Sequence, residues 1–157
     1  MSQSRVRRGW SFVLVILVAL FAFTMVMRSA APVPEVFDTR VTLADAEARS
    51  AESGKPVFVF ATADWCGYCQ KLKKGALQDP VVKQWITLNT HSVYLDCTRE
   101  VPAGAGFLPI SGLPVMFLLR GGKPVATLEG EVPAEVLVKW FEENAGAVND
   151  LKAGGGG

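Results

Sequence analysis

Two cysteines in the segment ADWCGYC are the residues whose type and spacing most directly imply chemistry. Cys66 and Cys69 are separated by two residues, a spacing found in zinc sites, in short structural disulfides and in redox-active dithiols. The pair follows an apolar run, PVFVFAT, and precedes a basic, helix-prone segment, QKLKK. The residues around the pair decide between these three kinds of chemistry.

A structural zinc ion would need four ligands, usually two such pairs or one pair with histidines. Beyond the pair, the sequence offers one cysteine, Cys97, and one histidine, His91. Both belong to the predicted strand HSVYLDC, where six residues of about 3.3 Å each place them roughly 20 Å apart. They cannot share one ion, so we expect no bound metal.

A redox dithiol fits the neighbouring segments better than a structural disulfide does. Closing so short a loop removes little chain entropy, so a purely structural bridge would stabilise the fold only slightly. A strand before the pair and a helix after it would place Cys66 at a helix N-terminus, where free amide groups and the helix dipole favour the thiolate. Cys69 follows almost one helical turn later, on the same side. We therefore predict that Cys66 attacks a partner's disulfide and that Cys69 resolves the mixed disulfide.

The elements around the pair predict an α/β fold. The first half is expected to contain a helix over 43–53, a buried strand over 56–62, and helices after Cys69 and from Pro80. Strands over 91–97 and 113–119 follow, and Gly121-Gly122 is expected to form the turn of a hairpin. The last element is a helix over 133–145, whose apolar face carries Val136, Leu137, Trp140 and Phe141. The early elements alternate as βαβ and the late ones form ββα. This order predicts one central mixed β-sheet flanked by helices.

An apolar run of 18 residues, 10–27, precedes the predicted domain and contains neither a charge nor a proline. A helix of that length measures about 27 Å, close to the hydrocarbon thickness of a bilayer. The arginines within residues 1–9 favour a cytoplasmic N-terminus. We predict a single-pass anchor in the cytoplasmic (inner) membrane, with the domain on the periplasmic or extracellular side, where disulfides persist. The alternative is a signal peptide that is cleaved near Ala30 to release a secreted domain.

Composition sets the other boundaries. Residues 28–42 contain two prolines and no helical periodicity, so we predict a linker there, a domain over 43–146 and a disordered Gly-rich tail over 147–157. The chain after residue 28 is mildly acidic, which gives no reason to expect nucleic acid as a partner.

Beyond these patterns, the sequence resembles the thioredoxin family. The residues that carry the resemblance are ADWCGYC after a buried strand and Gly112-Leu113-Pro114 before a later strand. Within that family, the D-P-x-V after the active-site helix makes the segment similar to the exported thioredoxin-like domains of the DsbD group. The resemblance covers about residues 43–146. It implies a thioredoxin-like fold, a redox-active Cys66–Cys69 disulfide, protein thiols or disulfides as substrates, and no cofactor.

The resemblance also implies roles for the residues beside the cysteines. A cis peptide bond is expected before Pro114, leaving the backbone of Leu113 free to pair with a substrate. Trp65, Gly67 and Tyr68 are expected to form the surface that substrates contact. By resemblance to the DsbD group, we predict that the chain passes reducing equivalents to oxidised proteins outside the membrane.

Four features depart from the family or are left open by it. Thioredoxins commonly carry a buried Asp where this chain has Phe60, so another group must handle the proton of Cys69. The apolar run contains no cysteine, so the electron donor or acceptor must be a separate protein. Cys97 is expected to be either an accessory thiol near the site or a small buried side chain. The lysines at 71, 73 and 74 are expected on a solvated helix face.

The same cysteine pair is compatible with two other functions. A metallochaperone would hold a soft ion such as Cu(I) through the two thiolates. A tethered adaptor would carry the dithiol without using it.

Overall fold

A computed structural model describes residues 13–24 and 30–153. The backbone forms two compact units, one ending at Ala30 and the other starting at Ala31. In the first unit, helix α1 covers residues 13–24. Across the described ranges, no helix combines the length and the hydropathy that crossing a membrane requires. The predicted span, 10–27, extends beyond the described residues at both ends.

The second unit confirms the predicted order of helices and strands. Its elements are α2 (Leu43–Ser53), β1 (Val57–Thr62), α3 (Gly67–Lys74), α4 (Pro80–Asn89), β2 (His91–Asp96), β3 (Val115–Arg120), β4 (Lys123–Glu129) and α5 (Ala134–Ala153). Short 3-10 turns cover Ala76–Gln78 and Ala103–Ala105. The strands form one sheet in the order β2-β1-β3-β4, in which β2 is parallel to β1 and the other pairs are antiparallel.

The strand register brings three segments to one edge of this mixed sheet. Thr62 at the end of β1 pairs with Asp96 at the end of β2, and Ala61 pairs with Val115 at the start of β3. The turn that carries the cysteines, the loop after β2 and the segment before β3 therefore meet at the same edge.

Strand β1 is buried along its whole length because helices cover both faces of the sheet. Phe58 and Phe60 face a core shared with α3, α4 and α5. Val59 and Ala61 face the opposite core, which is shared with α2. An unbroken apolar run is what a strand with two covered faces requires.

Local signals in the sequence set the ends of the helices and the hairpin. Thr42 and Asp45 form a reciprocal capping box at the start of α2, and Gly54 ends that helix with φ 74°. The side chain of Asp79 caps α4 by accepting backbone N–H bonds from its first turn. Gly121-Gly122 adopts φ of 56° and 73° between β3 and β4, as the predicted tight turn requires.

Residues 30–42, the described part of the predicted linker, contain no helix or strand, but they pack on the domain. We call residues 31–37 the strap. Phe37 is buried, and its ring centroid lies 5.9 Å from that of Phe58 and 5.8 Å from that of Phe60. The compact unit therefore starts at Ala31, before the predicted boundary at residue 43. One phenylalanine among prolines carries no periodic signal for such packing.

The final helix differs from its prediction in two respects. Its backbone stays helical to Ala153, whereas a disordered tail was predicted from residue 147; AVNDLKA contains good helix formers and no proline, so the helix continues. Residues 154–157 lie outside the described part of the chain. Leu137 is buried as predicted. Val136 is 43% exposed, because it lies at the margin of the apolar face rather than on it.

Candidate active site

Cys66 occupies the N-cap position of α3. Its Sγ accepts a hydrogen bond from the Cys69 N–H at 3.1 Å. The two cysteines form a disulfide, with Cα atoms 5.2 Å apart. Cys66 is 6% exposed and Cys69 is fully buried. In the dithiol form, the free amides of this helix start and the helix dipole favour a thiolate at Cys66, which is the more accessible sulfur.

Two exposed aromatic side chains flank the disulfide. Trp65 is 69% exposed and Tyr68 is 62% exposed. The indole N–H of Trp65 donates to the Thr98 carbonyl at 3.0 Å, and the Asp64 N–H donates to the Thr98 hydroxyl at 3.0 Å. Thr98, which the sequence did not single out, thus fastens the residues before Cys66 to the loop after β2.

The segment before β3 lies beside the cysteines. The Leu113–Pro114 peptide bond is cis, as the resemblance implied. Leu113 packs against the buried cluster formed by Ala63 and the two cysteines. The Pro114 carbonyl accepts the Gly130 N–H at 2.8 Å, whereas among the described residues Leu113 forms no backbone hydrogen bond. A substrate strand could use those free groups, which stays a prediction, as do the substrate contacts of Trp65, Gly67 and Tyr68.

Cys97 reaches the same edge of the sheet but enters a different core. It is a free thiol, 7% exposed, and it packs on the α2 side of the sheet with Leu108 rather than with the disulfide. Burial, together with the negative charge of Asp96, raises the pKa of the Cys97 thiol. A buried thiol that keeps its proton is a weak nucleophile. Its role as an accessory thiol stays a prediction.

Position 60, where the resemblance led us to expect a carboxylate, is filled by an aromatic cluster. Phe60 is fully buried, and its ring centroid lies 5.8 Å from that of Phe37 and 6.0 Å from that of Tyr94. On the same side of the sheet, the side chain of Lys73 is fully buried. The predicted solvated position is therefore wrong for Lys73. Its spacing of four residues from Cys69 was the available signal, because such residues share a helix face.

Residues 13–24 and 30–153 contain no candidate metal-binding site. No group of three or more His, Cys, Asp or Glu side chains lies close enough there to hold an ion.

Comparison with known proteins gives the family. The chain matches the thioredoxin-like domain (Thioredoxin_2) over residues 43–145. The chain belongs to the thioredoxin-like domain family. A thioredoxin from Alicyclobacillus acidocaldarius is 32% identical over 100 residues, which cover 62% of this chain and 90% of that protein.

Similarity within the thioredoxin-like family extends to DsbD. The thiol:disulfide interchange protein DsbD of Neisseria meningitidis serogroup A is 31% identical over 94 residues, which cover 57% of this chain but only 16% of DsbD. The reduced C-terminal domain of Neisseria meningitidis DsbD is 27% identical with a TM-score of 0.57, covering 69% of this chain and 98% of that domain. The thioredoxin-like fold and the Cys66–Cys69 disulfide are consistent with thiol:disulfide exchange.

Proposed function

We propose that this chain is a membrane-anchored thiol:disulfide oxidoreductase that reduces disulfides of proteins outside the cytoplasm. The observation that carries the proposal is the Cys66–Cys69 disulfide at the start of α3, beside exposed Trp65 and cis-Pro114. The sulfur nearer the surface is the one that the helix start stabilises as a thiolate. This is the arrangement that exchange with a protein disulfide requires.

The proposed reaction has two steps. The Cys66 thiolate attacks one sulfur of the substrate disulfide, forming a mixed disulfide and releasing the first substrate thiolate. Cys69 then loses its proton and attacks the Cys66 sulfur, which closes the Cys66–Cys69 bond and releases the second substrate thiolate. Two electrons pass to the substrate, whose thiolates take up two protons. A separate protein dithiol must reduce the Cys66–Cys69 disulfide again.

The substrate is proposed to bind as an extended strand. Its backbone would pair with the unpaired groups of Leu113, while its side chains contact the exposed faces of Trp65 and Tyr68. Main-chain pairing at the end of a sheet gives affinity with little dependence on sequence. Such an enzyme would therefore accept several protein substrates.

The direction of exchange is tested by the equilibrium of the pair with glutathione. We expect a reversible two-electron midpoint nearer the thioredoxin value of about −270 mV than the DsbA value of about −120 mV. We also expect catalysed reduction of insulin disulfides. A midpoint near the DsbA value would overturn the reductase direction. Tight Cu(I) binding at one ion per chain without turnover would instead support a metallochaperone.

Membrane anchoring is proposed from residues 10–27 and the arginines before them. The 18 uncharged residues match the bilayer thickness, and the arginines favour an N-terminus in the cytoplasm. We expect the full-length chain to sediment with membranes after alkaline carbonate extraction, and its domain to be cleaved by protease added to spheroplasts. A shorter chain in the soluble extracytoplasmic fraction would show a cleaved signal peptide instead.

A further inference from the structure

Lys73 places a positive charge inside the domain. Among the described residues it is the one charged side chain that is buried. Its Nζ donates to the Tyr94 hydroxyl at 3.0 Å and lies 3.4 Å from the Ala31 carbonyl of the strap. The Asp64 carboxylate lies 3.9 Å away, and its side chain is 57% exposed. Because water screens that carboxylate, it offsets only part of the field of the ammonium.

The ammonium lies at the cysteine end of α3. Lys73 and Cys69 are four residues apart and both are buried, so they share the inner face of the helix with Cβ atoms about 6 Å apart. Helical side chains lean toward the helix N-terminus. The Asp64 carboxylate that Lys73 approaches belongs to the residue two positions before Cys66. The ammonium therefore lies near the segment that leads into Cys66.

Other elements packed on this face supply no charge in the core. Strand β1 contributes the ring of Phe60, β2 contributes the Tyr94 hydroxyl, and the strap contributes the Ala31 carbonyl. Lys71 lies over the exposed ring of Tyr68, outside this core. Lys73 is thus the charged group buried on this face. The carboxylates of Asp64 and Asp96 lie at the surface, joined through Thr98, which accepts the Asp64 N–H and donates to Asp96.

We propose that the Lys73 ammonium stabilises the thiolate of Cys69 when that residue resolves the mixed disulfide. This inference rests on the proposed function. Cys69 gives up its proton, its thiolate attacks the Cys66 sulfur, the bond between Cys66 and the partner breaks, and the departing partner thiolate accepts the proton. Lys73 contributes charge and no proton, so it acts as a positioning residue.

The first test is the equilibrium of the full chain with glutathione, measured in mild detergent. Lys73→Met removes the charge and keeps the length of the side chain. A thiolate on either cysteine exists only in the reduced form, and the nearby ammonium stabilises it. Removing the charge should therefore shift the equilibrium toward the disulfide about tenfold, or about 30 mV toward negative potential. Lys74→Met, an exposed neighbour on the same helix, should shift it less than twofold. An unchanged equilibrium in Lys73→Met would overturn the proposal.

The second test isolates Cys69 in a Cys66→Ser background. Alkylation of Cys69, followed by mass spectrometry, should require a higher pH when Lys73→Met is added, which a purely structural role would not produce. If Lys73→Met does not fold, Asp64→Asn serves instead. Removing that exposed carboxylate should shift the glutathione equilibrium toward the dithiol, and a shift toward the disulfide would contradict the proposal.

The proposed function and the proposed role of Lys73 can be refuted independently, because the equilibrium measurement requires no turnover. If the wild-type chain reduces no protein disulfide but Lys73→Met still shifts the equilibrium, the proposed function is overturned and the proposed role of Lys73 stands. If the chain reduces insulin but Lys73→Met leaves the equilibrium unchanged, the proposed role of Lys73 is overturned and the proposed function stands.

Discussion

A Cys69→Ser variant should accumulate covalent mixed disulfides between Cys66 and oxidised protein substrates. The first exchange needs only the thiolate of Cys66, which the start of α3 stabilises. Release of the substrate then loses its intramolecular thiol, and a thiol from solution cannot match the effective molarity of a sulfur one helical turn away. We expect insulin reduction to fall by roughly a hundredfold or more. Non-reducing gels and mass spectrometry would identify the trapped species.

Two variants control this experiment. Cys66→Ser should form no covalent complex, because Cys69 is fully buried and a protein disulfide, unlike a small alkylating reagent, is too large to reach it. Cys97→Ala should keep the activity, and when added to Cys69→Ser it should leave the mixed disulfides in place, since burial raises the pKa of the Cys97 thiol and separates it from the disulfide. Complexes that persist in Cys66→Ser, or that disappear when Cys97→Ala is added to Cys69→Ser, would show that the nucleophile has been assigned to the wrong cysteine.

A Phe37→Ala variant should lower the free energy of unfolding by about 3–5 kcal/mol. The ring of Phe37 is buried against Phe58, Phe60 and Tyr94, with centroids 5.8 to 5.9 Å away, so its removal leaves a cavity among aromatic side chains. Typical domains are stable by only about 5–15 kcal/mol, so the loss would be a large fraction of the total. Urea unfolding of the full chain in mild detergent would measure it.

Thr39→Ala is the matched control, two residues further along and exposed. We expect it to change the free energy of unfolding by less than about 0.5 kcal/mol. If Phe37→Ala were equally mild, residues 31–37 would be the free linker that their prolines first indicated, and the strap would contribute nothing to the core.

The sequence predicts the fold well where local signals and tertiary packing agree. The apolar run of β1, the glycine after α2 and the two glycines of the hairpin each specify their element without knowledge of the rest. Phe37 could not be placed this way, because its partners come from strands some 20 and 57 residues later in the chain. Contacts of that range carry no periodicity that a single sequence displays.

Some residues of the candidate site could likewise be predicted from short motifs, whereas Lys73 could not. Cys66, Cys69 and Pro114 were found from spacing and from resemblance, since each belongs to a short motif. Lys73 was assigned to a solvated face because lysine is almost never fully buried. Its burial depends on the strap covering α3 and on the hydroxyl of Tyr94, neither of which is visible in the segment GYCQKLKK.

The attachment of Ala31 has a mechanical consequence. Its N–H donates to the side chain of Gln70 at 2.6 Å and its carbonyl lies 3.4 Å from the Lys73 ammonium, so α3 holds both backbone groups of one residue. Tension on the chain before Ala31 would reach the helix that carries Cys69 before it reached the sheet. If the chain is anchored in a membrane through the segment before Ala31, as proposed, a pulling force would act first on α3 with its cysteine pair and only then on the rest of the domain.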